Sequence, residues 1–317
     1  MGRVVELGSR RFLHPGPWIA ARALGWMLLL AALVVGAFAL VANAIARGWA
    51  ATHAIDPAHL ELLPVPIKLA ALIVGPLAAV AVYVLAVRWA EARAPSEFAL
   101  ARMVPELLTG LAIGAAVMGA TGLILWQGGW VTLTPQPVTK IFGAIGNSFE
   151  SGVVEETVFR LVLLRLVWRA LGAWPALAAS ALLFGAAHLA NPNSTPFAAV
   201  CIAAEAGIML AAFYILTGRL WVSIGLHAGW NFTQGWALGA PVSGGGGFGG
   251  GPLAMKTVAG APDYLSGGAF GPEASLAALV LCTVVGVAVL WRAAALGRLD
   301  GGIASEVAQG EIREETA

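Results

Sequence analysis

The chain has 317 residues, 59% hydrophobic and only 11% charged, with a net charge of +1 and a mean hydropathy of +0.83. Ordinary soluble domains are roughly 45–50% apolar and about 25% charged, and a soluble fold of this length has too little interior to hide the excess; the composition reads as an all-α polytopic membrane protein. A balance so near neutral, without clustered Lys and Arg, excludes a nucleic-acid binder and leaves the lipid bilayer and its contents as partners.

Residues 1–24 carry Arg3, Arg10, Arg11 and Arg22 and read as a basic cytoplasmic tail. Ser9-Arg10-Arg11-Phe12-Leu13 looks like a twin-arginine export signal and Ala42-Asn43-Ala44 like its cleavage site. The apolar run from Trp26 to Ala46 outruns the roughly 7–15 residues of a signal's apolar region, however, and more spans follow, so both are rejected. Runs of about 20 apolar residues place these further spans near 66–88, 105–127, 140–169, 174–190, 197–217, 219–237 and 274–296, about eight helices in a membrane domain over 25–296.

Loop charges set the orientation. With the N-terminus inside, the cytoplasmic side receives Arg88, Arg93, Arg102, Arg165, Arg169, Arg219, Arg292, Arg298 and Arg313, whereas the outer side receives Arg47, Lys68, Lys140 and Lys256. Positive charge is retained inside, which predicts a multi-pass protein with both termini cytoplasmic; the plasma membrane is the expected location. The glycine-rich stretch 238–273 reads as a flexible extracytoplasmic loop that does not pack, and 297–317, acidic from Ser305 to Glu315, as a solvated cytoplasmic tail. Gly110-x-x-x-Gly114 in the third span suggests close packing between helices of the bundle. Cys201 and Cys282 fall within apolar spans and imply no disulfide framework.

One stretch breaks the apolar pattern. Ser151-Gly152-Val153-Val154-Glu155-Glu156-Thr157-Val158-Phe159-Arg160 puts three charges inside a span, at a cost of about 2.5 to 3.5 kcal/mol each even on lenient scales, so the cluster requires partners or a function. Residues four apart share a helix face, pairing Glu156 with Arg160 and aligning His227 with Asn231. Glu155 is rotated by about 100° from Glu156. This predicts a division of labour: Glu156 and Arg160 neutralise each other as scaffold, and Glu155 points into the bundle. At about 1.5 Å per residue from Lys140, Glu155 lies roughly 22 Å along its span, near mid-membrane.

His188 and His227 also fall within spans. One buried histidine alone reads as a satisfied core residue; two of them, with a glutamate pair and an amide, point to chemistry. A carboxylate beside imidazoles can act as general base toward water. The imidazoles can hold a divalent metal, or His227 and Asn231 can donate hydrogen bonds to a developing oxyanion. Glu205, isolated in the span 197–217, is a further candidate for the same cavity, against the plainer reading of a neutral carboxyl bonded to a neighbouring helix. Phe184 is expected to wall the cavity.

Glu155-Glu156-x-x-x-Arg160, Phe184-x-x-x-His188 and His227-x-x-x-Asn231 resemble, in order and spacing, the three motifs of the CPBP family, the CAAX protease and bacteriocin-processing intramembrane endopeptidases. Leu216-Thr217-Gly218-Arg219-Leu220-Trp221 and Gly225-Leu226-His227-Ala228-Gly229-Trp230-Asn231-Phe232 are similar to that family's last motif region, and the resemblance covers roughly residues 100–237. It implies an intramembrane endopeptidase acting on membrane proteins or lipidated peptides. Glu155 would activate water, with His188 as its partner or a metal ligand. His227 and Asn231 would stabilise the oxyanion or bind metal, supported by Glu156 and Arg160. Glu155, His188 and His227 would suffice for a catalytic zinc; with no His-Glu-x-x-His motif, a metal-free mechanism stands beside it. Two other classes compete: a non-catalytic membrane partner on the same fold, and a proton-coupled transporter. Against the transporter, no pair of interrupted helices recurs in the two halves.

Overall fold

The computed structural model describes residues 2–56 and 59–300; the acidic stretch Ser305–Glu315 lies outside them. The chain is mostly helical. Helices α1 (Ile19–Thr52), α2 (Val65–Ala86) and α3 (Met103–Gln127) are followed by a short strand β1 (Val131–Pro135). Helix α4 (Phe142–Glu156) continues through a wider, π-helical stretch, Thr157–Leu164, into α5 (Arg165–Leu171). Helix α6 (Ala173–Ala187) leads to α7 (Pro196–Ile202), whose first turn is capped by Thr195 Oγ1 accepting from Ala198 N at 3.1 Å. A second π-helical stretch, Ala203–Ile208, joins α7 to α8 (Met209–Thr217), which ends at Gly218 in the left-handed region. Helix α9 (Trp221–Phe232) ends in a π-helical turn, Thr233–Ala237; strand β2 (Leu253–Thr257), α10 (Asp263–Ser266) and α11 (Leu276–Ala295) complete the fold.

Among the described residues, six helical segments are long and apolar enough to cross a membrane: Ile19–Thr52, Val65–Glu91, Ser96–Gln127, Ala173–Ala190, Pro196–Thr217 and Leu276–Ala295. The protein is thus an integral membrane protein, with six such helices where about eight spans are expected. The other two expected spans are helical but differ in kind. One, α4 to α5, carries Glu150, Glu155, Glu156, Arg160, Arg165 and Arg169; the other, α9, has only 12 residues before its π-helical turn. Both are held inside the bundle by other helices.

Helices α3 and α9 cross at backbone contact. A Cβ on Gly110 would stand 2.6 Å from Leu226 N, and one on Gly114 2.7 Å from Trp230 N. From the other side, a Cβ on Gly225 would meet Leu111 N at 3.0 Å and one on Gly229 Leu111 Cα at 2.9 Å. The Gly110-x-x-x-Gly114 pattern is therefore an internal seam, as expected, and it seats α9 at the centre of the fold.

Two segments differ from the expectation. The residues before α1 are not only a basic tail, because Val5, Leu7 and Leu13 are buried in the same core as α1 and α5. The glycine-rich stretch is not a flexible loop either. Strands β1 and β2 pair antiparallel with Val131 opposite Thr257, and Leu238, Ala240, Met255 and Phe270 are buried. Its glycines allow close backbone approach: Gly244, at φ +79°, would place a Cβ 2.9 Å from Pro192 C.

Candidate active site

Helix α4 lies against α9 at Gly152, where a Cβ would stand 3.1 Å from Ile224 O and 3.4 Å from Ala228 N. This close approach brings the two adjacent glutamates beside His227. Glu156 is fully buried: its Oε2 lies 3.0 Å from Arg160 Nε and its Oε1 3.0 Å from His227 Nδ1. An ionised carboxylate only accepts hydrogen bonds, so Nδ1 of His227 carries the donated proton and Nε2 is the nitrogen left to face the site. Glu155 Oε2 stands 4.0 Å from that Nε2, with 34% of the Glu155 side chain exposed. The expected pairing of Glu156 with Arg160 is present. The expected inward aim of Glu155 is corrected: Glu156 occupies the bundle interior and Glu155 the open side of His227, because the close α4–α9 contact turns position 156 onto the imidazole.

Arg160 is held from further sides. It donates Nη2 to Ala206 O at 3.0 Å and Nη1 to Ser180 Oγ at 3.4 Å, and its guanidinium carbon lies 5.0 Å from the Phe184 ring centroid. The arginine thereby ties α4 to α6 and to the π-helical stretch before α8. Wider π-helical turns at Thr157–Leu164 and Ala203–Ile208 contain Arg160 and Glu205; such bulges in α-helices often accompany functional sites.

Asn231 does not bond His227. It donates Nδ2 to Ser151 Oγ at 2.8 Å, across from α9 to α4. His188 donates Nδ1–H to Phe184 O at 2.7 Å, leaving Nε2 as the nitrogen that faces the cavity. Phe184 walls the site as expected, its ring centroid 4.9 Å from His188 and 6.3 Å from His227.

A small cavity of about 30 Å³, room for roughly one water, is lined by Phe184, His188, Glu205, His227, Asn231 and Glu273 among others. Glu205 therefore joins the two histidines and Asn231, and both of its buried oxygens are without a hydrogen-bond partner. Glu155 is not part of this lining, and no hydrogen bond or ion pair joins it to His188. Among the described residues, no group of three or more His, Cys, Asp or Glu side chains is placed to hold a metal ion, so Glu155, His188 and His227 do not meet as a zinc site in this geometry.

Two site residues escape sequence reasoning. Ser151 fixes Asn231, and only its place four residues before Glu155 marks it. Glu273, from the end of the glycine-rich stretch, is 2% exposed and reaches the cavity from outside the motif-bearing helices. Burial pushes its carboxyl above the usual carboxylate range, opposed by the Ser243 N–H it accepts and by His188 nearby. Nothing in its sequence context distinguishes it from a loop acid.

Residues 137–233 match the family model of the type II CAAX prenyl endopeptidases, Rce1-like, within the CPBP family. The match spans α4 to the end of α9, the segment that supplies Glu155, Glu156, Arg160, His188, Glu205, His227 and Asn231. It supports intramembrane endopeptidase activity in general. No curated protein and no solved structure matches the chain.

Proposed function

We propose that this Rce1-like membrane protein hydrolyses peptide bonds of membrane-associated proteins or lipidated peptides, with Glu155 as the water-activating base. The observation that carries the reading is the placement of His227 between two carboxylates, Glu156 on Nδ1 at 3.0 Å and Glu155 facing Nε2 at 4.0 Å. The Glu156 contact orients the ring in the way a buried carboxylate orients the imidazole of a serine protease, and the other ring nitrogen faces the partly exposed Glu155.

In the proposed reaction, Glu155 takes a proton from water as the oxygen attacks the scissile carbonyl carbon. The carbonyl π electrons move to oxygen, where His227 Nε2–H, when the ring carries its second proton, and Asn231 Nδ2–H donate to the oxyanion. The C–N bond then breaks as the oxyanion collapses, and the proton held by Glu155 passes to the leaving amine. His188 lines the cavity with His227 and Asn231, where its Nε2 would meet water or substrate rather than Glu155. Glu156 and Arg160 hold His227 without touching substrate.

A divalent metal such as zinc is a separate proposal. Glu155, His188 and His227 do not converge on one point among the described residues, so the steps above use no metal, and chelation decides whether an ion takes part. In this reading both termini face the cytoplasm, on the Lys and Arg bias of the loops, and the plasma membrane is the proposed location.

The test uses protein reconstituted in vesicles and a peptide substrate carrying a lipid anchor. Wild type should cleave it and Glu155→Ala should not, with a loss of at least about a hundredfold, the scale of a missing general base. Activity surviving exhaustive chelation supports the metal-free steps; loss that added zinc restores would require an ion. Equal cleavage by wild type and Glu155→Ala would overturn the role of Glu155. A non-catalytic membrane partner built on this fold is the reading that would then replace it.

A further inference from the structure

The segment matching the family ends at residue 233, yet the wall of the site is completed from beyond it. Glu273 stands just before α11, whose first turn is capped by Ser275. One carboxylate oxygen, Oε1, accepts the backbone N–H of Ser243, and the other, Oε2, accepts the indole N–H of Trp230 at 3.4 Å. Trp230 lies on α9 between His227 and Asn231. Gln234, in the π-helical turn that ends α9, donates to Pro241 O at 2.7 Å, so α9 also grips the glycine-rich segment two residues before Ser243. Glu273 lines the same cavity as His188, His227 and Asn231.

Burying a carboxylate at this depth is costly unless its oxygens are met by donors. Holding the loop alone does not require it. Gly244 N already donates to Phe270 O at 2.8 Å, and Asn193 Nδ2 donates to Gly244 O at 2.9 Å. What the acid adds is a link from the loop to the indole beside the catalytic face of α9.

We propose that Glu273 is a positioning residue of the hydrolytic site: it clamps residues 241–244 over the cavity and fixes the Trp230 indole, thereby holding His227 and Asn231 in register with His188. The proposal rests on the hydrolase reading for its kinetic consequence, but not for the clamp itself. Small misplacements of reacting groups lower the chemical step far more than binding.

Two readouts test it on the full-length protein. In Glu273→Gln, kcat should fall at least about tenfold with KM within about threefold of wild type. Amide exchange of the peptide spanning 242–251 should accelerate while peptides of α3 and α8 keep their protection. Trp230→Phe, which deletes the N–H but keeps the ring packing, should lower kcat in the same direction and decides the matter where Glu273→Gln fails to fold. Unchanged kcat in both variants, a rise confined to KM, or unaltered exchange at 242–251 would overturn the positioning role. Should wild type and Glu155→Ala prove equally inactive, the hydrolase reading falls, and the exchange result alone still decides whether Glu273 clamps the loop.

Discussion

At the end of α4 two adjacent glutamates meet opposite surroundings, and substitution should separate them. Glu156 has no exposed side-chain surface and balances Arg160, itself fully buried. Removing one partner of such a pair strands the other charge, at a cost of about 3–5 kcal/mol. Glu156→Ala should therefore lower the thermal midpoint sharply and reduce the amount of folded protein recovered from membranes. Glu155 is one-third exposed, and its nearest ionic partner is 4.0 Å away. Glu155→Ala should leave the midpoint within a degree or two of wild type while activity disappears. A thermal-shift comparison of the two variants in detergent checks both statements; equal destabilisation would mean that Glu155 is also part of the scaffold.

At the scale of elements, the seam between α3 and α9 sets where His227 and Asn231 can stand. Because a Cβ at Gly114 or Gly225 would meet backbone atoms, which cannot turn aside, Gly114→Leu and Gly225→Val should each force the helices apart. Overpacking of this kind costs about 1–3 kcal/mol or more. Gly119, with open space where its Cβ would be, should accept Leu with little change, and thermal midpoints of the three variants measure the difference. These features were legible in the sequence because they follow helical spacing: the Gly110 and Gly114 pair, Glu156 with Arg160, and Phe184 with His188 all repeat at four residues. The contacts that cross between elements were not. The Asn231 to Ser151 bond depends on how α4 lies against α9. Glu273 has no periodic partner, and the glycine-rich stretch has the composition of a flexible linker although its glycines are used for close backbone approach.

At the scale of the whole molecule, the bundle is closed at one end by a buried ionic cluster. Glu91 receives Arg165 through two bonds of 2.7 and 2.8 Å and the Trp26 indole at 2.9 Å; Arg93 lies 2.7 Å from Glu91 and bridges to Glu97 at 2.8 Å. The cluster joins α1 and α5 to the segment between α2 and α3, and Leu13 O, in the N-terminal segment, accepts Arg169 Nη2 of α5 at 3.1 Å. Glu91→Ala should cost several kcal/mol by stranding Arg165. Glu106→Ala, which breaks the partly exposed pair with Arg219, should cost less than about 1 kcal/mol. Denaturation midpoints of the two variants would rank them.

The central claim is that this membrane protein cuts peptide bonds with Glu155. Its most direct test compares new protein N-termini in membranes of cells making wild type or Glu155→Ala at matched levels. The account predicts cleavage products present with wild type and missing with Glu155→Ala, which would also identify the substrate. The same set of N-termini from both, with host membrane proteins well sampled, would contradict it.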